Sequence, residues 1–252
     1  MFSYSFVRFP KNLVNDVIIK GLGLEGTSAV LALIGGVLLC MIIAYLLGSL
    51  NFGIILSKKL YHEDIRNSGS GNAGSTNMLR TYGKKAAFLT LALDMLKGAV
   101  AVTLGSLILG TDHPIDGAAI AGLFVVIGHM FPCFFKFKGG KGVATTGMVM
   151  LITRPLICLI ALAAFLIIVI GTKYVSLGSV IAVMLYPILL YRLDVYKIDG
   201  SEAVGGNGWN VLCAILIMLL VVFMHRSNIK RLMEGKESKI SFGKGSKEKE
   251  TK

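Results

Sequence analysis

The chain has 252 residues, 54% of them hydrophobic and only 16% charged, against roughly 25% charged in soluble domains; its mean hydropathy is +0.73. That balance, gathered into several long apolar runs, excludes an ordinary soluble domain and reads as an all-α, polytopic integral membrane bundle. The net charge of +12 would suggest nucleic acid in a soluble protein, but here much of it lies in loops and tail, where it sets topology and attracts the lipid bilayer, so no nucleic-acid partner is expected.

Residues 1–27 are mixed and weakly patterned, with Arg8, Lys11 and Lys20 against Asp16 and Glu25, and read as an N-terminal extension or interfacial helix. The first span runs over about Ser28–Leu56, too long for a signal-peptide core, which argues against a cleavable signal. Next comes Asn67-Ser-Gly-Ser-Gly-Asn-Ala-Gly-Ser-Thr-Asn77, a stretch without one large apolar side chain, which cannot cross lipid. A second span follows at about Ala86–Gly110, with Asp94 and Lys97 inside it at i, i+3. Ionisable groups there are functional suspects, but the spacing favours an internal ion pair acting as scaffold. The turn Thr111–Asp116 leads to a third span at about Gly117–Phe135. His129 lies near the end of that span and reads as a satisfied hydrogen-bonder rather than a catalyst.

Lys136-Phe-Lys-Gly-Gly-Lys-Gly142 is the second polar stretch. Arg154-Pro155 then interrupts an apolar run, because proline cannot continue the hydrogen-bond ladder. The run is therefore divided into a short helix at about Gly142–Thr153 and spans at Leu156–Thr172 and Val175–Leu193. A polar, Gly-rich loop, 194–208, precedes the last span at about Trp209–Met224. The third polar stretch, His225-Arg-Ser-Asn-Ile-Lys-Arg231, begins there, and residues 238–252 form a charged tail predicted to be disordered. No Pro/Ser-rich linker divides residues 28–237, which read as one membrane-embedded domain. Cys40, Cys133, Cys158 and Cys213 are isolated and read as core thiols, neither disulfides nor a zinc site.

Charge parity sets the crossing number at seven transmembrane helices. All three polar stretches, with Lys58, Lys59, Arg66, Lys84, Lys85, Lys136 and Lys138, then share the cytoplasmic face with the C-terminus, while Asp112, Asp116, Asp194, Asp199 and Glu202 lie outside with the N-terminus. The basic N-terminal segment runs mildly against this arrangement.

Gly69-Ser-Gly71-Asn-Ala-Gly74 has the form G-x-G-x-x-G, but no strand precedes it, so the dinucleotide reading fails. Nor is Gly139-Gly140-Lys141-Gly142 a Walker A motif: Phe135 stands where the first glycine belongs, and Gly142 replaces the metal-binding hydroxyl. Any phosphate held here is held without that motif's metal-binding hydroxyl. What remains is a set of donors suited to phosphate. Ser70, Asn72, Thr76 and Asn77 offer neutral donors, Gly69 and Gly71 backbone amides, and Arg80 a planar fork. A helix beginning near Ala73 would add its N-terminal N–H groups. Lys141 between glycines could close on a second phosphate, whereas Lys136 and Lys138 read as topological charge. On a continuing helix, His225, Asn228 and Arg231 share a face turned towards the bundle.

These residues resemble the bacterial acyl-phosphate:glycerol-3-phosphate acyltransferase family, the PlsY type. The resemblance rests on Gly48-Ser-Leu-Asn-Phe-Gly53, Gly69–Asn77 with Arg80, Asp94-x-x-Lys97-Gly98, Gly128-His-x-Phe-Pro132, Phe137–Thr145, Ser176-Leu-Gly-Ser179, and His225–Leu232 with Glu237, in order over about Ala44–Glu237. Asn51 departs from the usual Pro and Ser75 from the usual Ala. The resemblance implies an inner-membrane enzyme of bacteria that moves an acyl chain from acyl phosphate to the 1-hydroxyl of sn-glycerol 3-phosphate, giving lysophosphatidic acid and phosphate with neither a cofactor nor a metal. A partner enzyme would supply the acyl phosphate. Ser70, Arg80, His225 and Asn228 would be catalytic, and Gly139–Gly142 would bind glycerol phosphate. Asp94, Lys97, His129, Ser179 and Glu237 would support the site. Two other classes remain: a transporter of a phosphorylated solute, which would place its donors near the midplane of paired repeats, and a membrane anchor for acidic partners, which leaves the Gly-rich loops unexplained.

Overall fold

A computed structural model describes residues 11–111, 116–193, 195–198, 201–204 and 208–240. The helices are α1 Gly26–Ser49, α2 Phe52–Tyr61, α3 Ser75–Tyr82, α4 Lys84–Leu109, α5 Gly117–Met130, α6 Val143–Thr153, α7 Pro155–Thr172, α8 Val175–Leu193, α9 Gly208–Met224 and α10 Arg226–Met233. Between α8 and α9 lies an antiparallel pair, β1 Val195–Ile198 and β2 Ser201–Val204, with Val195 opposite Val204. These two four-residue strands lie within an otherwise helical fold, as the all-α reading expects.

The 28–56 run is not one helix. It breaks between Ser49 and Phe52, where Leu50 leaves helical geometry and the Asn51 side chain accepts a bond from the Ile54 N–H at 3.2 Å to cap α2. Arg154-Pro155 does interrupt its run as expected, with Pro155 opening α7. Among the described residues, five helices are long and apolar enough to cross a bilayer, and α9 with α10 makes a sixth, bent by 57°. The short α6 spans about 16 Å at 1.5 Å per residue, half a hydrocarbon core. Its length alone does not make it the seventh.

The middle of the bundle is α5, packed against α1, α4, α6 and α9. Small residues let the backbones touch: a Cβ on Gly48 would overlap the Val125 carbonyl, and one on Gly128 the Tyr45 carbonyl. Leu31, Ile34, Leu38 and Ile42 on α1, and Leu159, Ile167 and Ile170 on α7, face outward as lipid-contacting side chains do. Residues Leu13–Ile19 form a short helix against α1 and α4, with Val14 buried, so this part of the N-terminal segment is docked rather than appended. At the start of α5, Asp116 accepts from the Ala118 and Ala119 amides and from Asn210 Nδ2, joining α5 to α9.

Asp94 and Lys97 form the expected internal ion pair, and the ammonium reaches further than its partner. Lys97 Nζ lies 3.0 Å from Asp94 Oδ1, 2.9 Å from the Gly48 carbonyl, 2.8 Å from the Leu50 carbonyl and 2.9 Å from His129 Nδ1. The two carbonyls belong to the C-terminal end of α1, where helical backbone lacks partners. One ammonium therefore holds α1, α4 and α5 together at the break.

Lys97→Met leaves Asp94 buried and uncompensated, and should cost about 3–5 kcal/mol of stability. The check is a thermal melt of the detergent-solubilised protein, in which Asp94→Asn/Lys97→Met should recover part of the loss.

Candidate functional site

The first polar stretch folds around one amide. Asn77 Nδ2 donates to the carbonyls of Ile65, Ser68 and Asn72 at 3.2, 2.9 and 3.0 Å, and its Oδ1 accepts the Ser70 N–H at 2.8 Å. Gly69 and Gly71 have φ of +59° and +71°, and a Cβ on Gly69 would overlap Asn77 Oδ1. The glycines are there for shape and space rather than as donors. Asn77, expected to bind substrate, clamps the loop and is also among the residues lining the cavity beside it; Gly71 N–H is engaged too, on the Ser68 carbonyl at 3.1 Å.

The clamp aims what remains. Ser70, Asn72 and Thr76 line a cavity of about 490 Å³. The Ser75 and Thr76 amides, at the start of α3, lack the intrahelical carbonyl that later amides use, and both residues line the same cavity. Arg80, from the last turn of α3, also lines it and makes no hydrogen bond or ion pair to a described residue.

The second stretch is tied to the end of α5. Gly139 N–H donates to the Met130 carbonyl at 3.0 Å and Gly140 N–H to the His129 carbonyl at 3.1 Å. A Cβ on Gly139 would overlap the His129 carbonyl, and one on Gly140 its imidazole. Neither glycine lines the cavity, so their expected role as phosphate donors gives way to one of close packing. Gly142, at φ +79°, starts α6 and does line it, as does Lys141. Burial, with Arg231 and Arg80 nearby, lowers the Lys141 ammonium to about 8, although Glu237 opposes the shift.

Arg66, read from sequence as a topological charge, joins the two loops. It pairs with Asp64 at 2.7 Å while its Nη1 donates to the Phe135 and Lys138 carbonyls at 2.9 and 3.0 Å. Hydrogen bonds from Arg66 hold the Asp64 carboxyl down at about 2, against the opposing effect of burial.

The third stretch closes the site. His225 caps α10, and its Nδ1 lies 2.8 Å from the Val221 carbonyl; donation there leaves Nε2 as an acceptor. Asn228 accepts from Lys141 and donates to Glu237 Oε1 at 2.6 Å. Ser176 donates to the same oxygen at 2.8 Å, and Arg231 Nε to Oε2 at 2.7 Å. Burial would raise the Glu237 pKa, but these bonds hold it below the ordinary value. The chain after α10 returns to the α7–α8 turn, where Ile240 N–H meets the Lys173 carbonyl at 2.9 Å. Residues 238–240 are therefore anchored, and Ser238 lines the cavity; the rest of the expected tail lies outside the described residues.

Ser70, Asn72, Thr76, Arg80, Asp94, His129, Lys141, Gly142, Ser179, His225, Asn228, Arg231 and Glu237 thus surround one space, drawn from stretches far apart in sequence. Ser75, Ser176 and Thr146 line it too: Ser75 and Ser176 lay within stretches already singled out but were given no role there, and Thr146 follows directly on the Phe137–Thr145 stretch. From the polar end the cavity continues into an apolar arm of Met150, Cys158, Ala161, Leu162, Phe165 and Val183, between α6, α7 and α8. Asp94 is compensated by Lys97, so Arg80, Lys141 and Arg231 face Glu237 as the remaining carboxylate of the lining. The surplus is positive and suits anions with an apolar extension. Among the described residues no three His, Cys, Asp or Glu side chains gather as metal ligands.

A sequence model of the family described as glycerol-3-phosphate acyltransferase matches residues 38–235. The glycerol-3-phosphate acyltransferase of Thermoanaerobacter pseudethanolicus is 46% identical over 203 residues, covering 80% of this chain and 94% of that one. That of Bacillus subtilis is 39% identical over 204 residues, covering 81% and 97%. Among solved structures, PlsY, an integral membrane glycerol 3-phosphate acyltransferase, in its glycerol 3-phosphate form superposes with a TM-score of 0.71 at 38% identity, covering 81% of this chain and 96% of that one. Its lysophosphatidic acid form gives 0.68 at 36%, covering 81% and 95%. The chain belongs to the glycerol-3-phosphate acyltransferase family.

Lys141 loses its charge as pH rises through about 8, so affinity for a phosphate monoester should fall above that pH and hold steady below it until the ligand's own second ionisation, at about 6, is reached. Titrating glycerol 3-phosphate binding against pH should show this break, and Lys141→Arg should remove it because guanidinium stays protonated.

Proposed function

We propose that this enzyme transfers an acyl group from acyl phosphate to the 1-hydroxyl of sn-glycerol 3-phosphate, releasing lysophosphatidic acid and phosphate. The observation that carries the reading is the single cavity with a cationic end and an apolar arm, since one donor needs both and its co-substrate needs only the first. The relatives named for glycerol 3-phosphate supply the acceptor. Acyl phosphate as donor is inferred from the chemistry of the residues: a mixed anhydride is already activated, and the lining offers donors and cations rather than a nucleophile–base pair.

In this mechanism Ser70, Asn72, Thr76 and the first amides of α3 hold the phosphate of the donor, and its chain lies in the α6–α8 arm. Arg80, Lys141 and Arg231 hold glycerol phosphate. Asn228, engaged on both sides, orients Lys141 instead of binding substrate itself. The glycerol oxygen attacks the acyl carbon, and the carbon–oxygen bond to phosphate breaks. His225 Nε2 and the departing phosphate are the two candidate acceptors of the hydroxyl proton. Residues 28–237 form the catalytic domain in the bacterial inner membrane. Seven crossings with α6 as the short one, the N-terminus outside and the C-terminus inside, put all three polar stretches at the cytoplasmic face, where an acyl-activating enzyme would deliver the donor.

Labelled glycerol 3-phosphate should become lysophosphatidic acid with palmitoyl phosphate and not with palmitoyl-CoA when each is added to the purified protein. Turnover with the thioester alone would refute the choice of donor. His225→Gln should lower activity and flatten the acid limb of the pH–rate profile if His225 is the base; an unchanged profile and rate would assign that role to phosphate.

A further inference from the structure

Several glycines inside these helices have a packing reason to be glycine. A Cβ on Gly48, Gly105, Gly122 or Gly128 would overlap an adjacent helix. Gly35 in α1, Gly147 in α6 and Gly171 in α7 differ, because a Cβ on any of them would stand in open space. Gly35 and Gly171 are exposed, next to the outward-facing Ile34 and Ile170, and neither lines the cavity. Gly147 is half-buried and does line it.

The packing of α6 shows which way position 147 looks. Thr145 and Met148 meet Gly98 of α4, and Val149 meets Gly122 of α5. Val143, Gly147 and Met150, spaced by four and three residues, make up the remaining side, and all three line the cavity. A side chain at 147 would therefore project into the cavity rather than against α4 or α5. There α7 bounds the space, with the Cys158 thiol donating to the Gly147 carbonyl at 3.4 Å. Alanine is the better helix former, and nothing in the fold bars it at this position. A local rule broken without a gain in packing points to an occupant from outside the fold.

The position along the helix says which part of that occupant. Lys141 and Gly142 stand at the cationic end of the cavity and Met150 in its apolar arm. Gly147 lies between them, about 7.5 Å along α6 from Gly142 at 1.5 Å per residue. A ligand with its phosphate among the cations and its chain in the arm passes α6 at this level.

We infer that Gly147 is a specificity-determining position for the donor: the room left by its missing side chain is the passage through which a long acyl chain enters the arm. The inference rests on the acyl-phosphate reading above and adds the residue that admits the chain. Glycerol 3-phosphate carries no chain, stays at the cationic end and does not reach position 147.

Gly147→Ala adds one methyl group to the passage and Gly147→Leu fills it. In detergent, Gly147→Ala should melt no lower than the parent protein. Gly147→Leu should bind hexadecyl phosphate roughly 10-fold more weakly, Gly147→Ala should lose less, and both should bind glycerol 3-phosphate within about twofold of the parent. The KM for palmitoyl phosphate should rise in the same order. Gly35→Leu, equally open but on an outward face, should leave all of these constants unchanged. Undiminished hexadecyl phosphate binding by Gly147→Leu, or by Gly147→Ala should the leucine variant not fold, overturns the assignment. An equal loss of glycerol 3-phosphate binding overturns it too, as does a Gly147→Ala melt below the parent's, which makes the glycine a requirement of the fold. A parent enzyme that binds hexadecyl phosphate but does not use palmitoyl phosphate overturns the donor reading instead, and the binding constants then judge Gly147 by themselves.

Discussion

The placement of one ammonium group in the interior governs this structure. Lys97 is 4% exposed, and it is tolerated there because four acceptors from three helices surround it. Two of these are carbonyls at the broken end of α1, which would otherwise be orphaned in a low-dielectric interior. The break therefore depends on the cation as much as the cation depends on the break. His129, the fourth acceptor, carries the constraint onward: its carbonyl takes the Gly140 amide, and its ring packs where a Gly140 side chain would stand. The loop bearing Lys141 is in this way positioned by a charge buried on α4.

The same reasoning explains how irregular backbone can live beside lipid. Each polar loop is an internally satisfied body: Asn77 closes the first, the α5 carbonyls the second, and Arg66 ties the two. Once those groups are satisfied, the donors left over are the ones turned into the cavity. Rigidity matters as well as satisfaction, because donors held in place by packing need no reorganisation when charge develops in front of them.

The spans were legible because hydropathy is a local property, and so was the break at Arg154-Pro155, where proline states its own effect. The break at Leu50–Asn51 was not, because its cause lies on another helix. Asn51, noted only as a departure from the related family, turned out to cap α2. Gly69, Gly139 and Gly140 were rightly singled out but for the wrong physics. A glycine shows in sequence that something needs room or a positive φ, and only the fold shows whether that something is a ligand or a neighbouring carbonyl. Arg66 was hidden for a related reason, since a cation near a span end looks topogenic whatever it bonds to. Asn228, expected to be catalytic, lines the cavity with its amide bonded to Lys141 on one side and Glu237 on the other, a pairing no spacing in the sequence announces.

The charges of the site also fit a reaction in which both substrates are anions. With no ligand bound, Glu237 is the counter-ion for Arg231 and, through Asn228, steadies Lys141. It cannot balance all three cations, and burial above all, helped by repulsion from Arg231 and Arg80, is what brings Lys141 near the point of losing its proton. A phosphate entering that field relieves it, and by linkage the bound anion keeps Lys141 protonated. Binding of the first anion thus preserves the charge that the second needs nearby. Two phosphates brought into one small space would otherwise repel, and the cations between them lower that cost. For the proposed acyl transfer, where the donor is already an activated anhydride, holding two such groups in contact is the larger part of the catalytic problem.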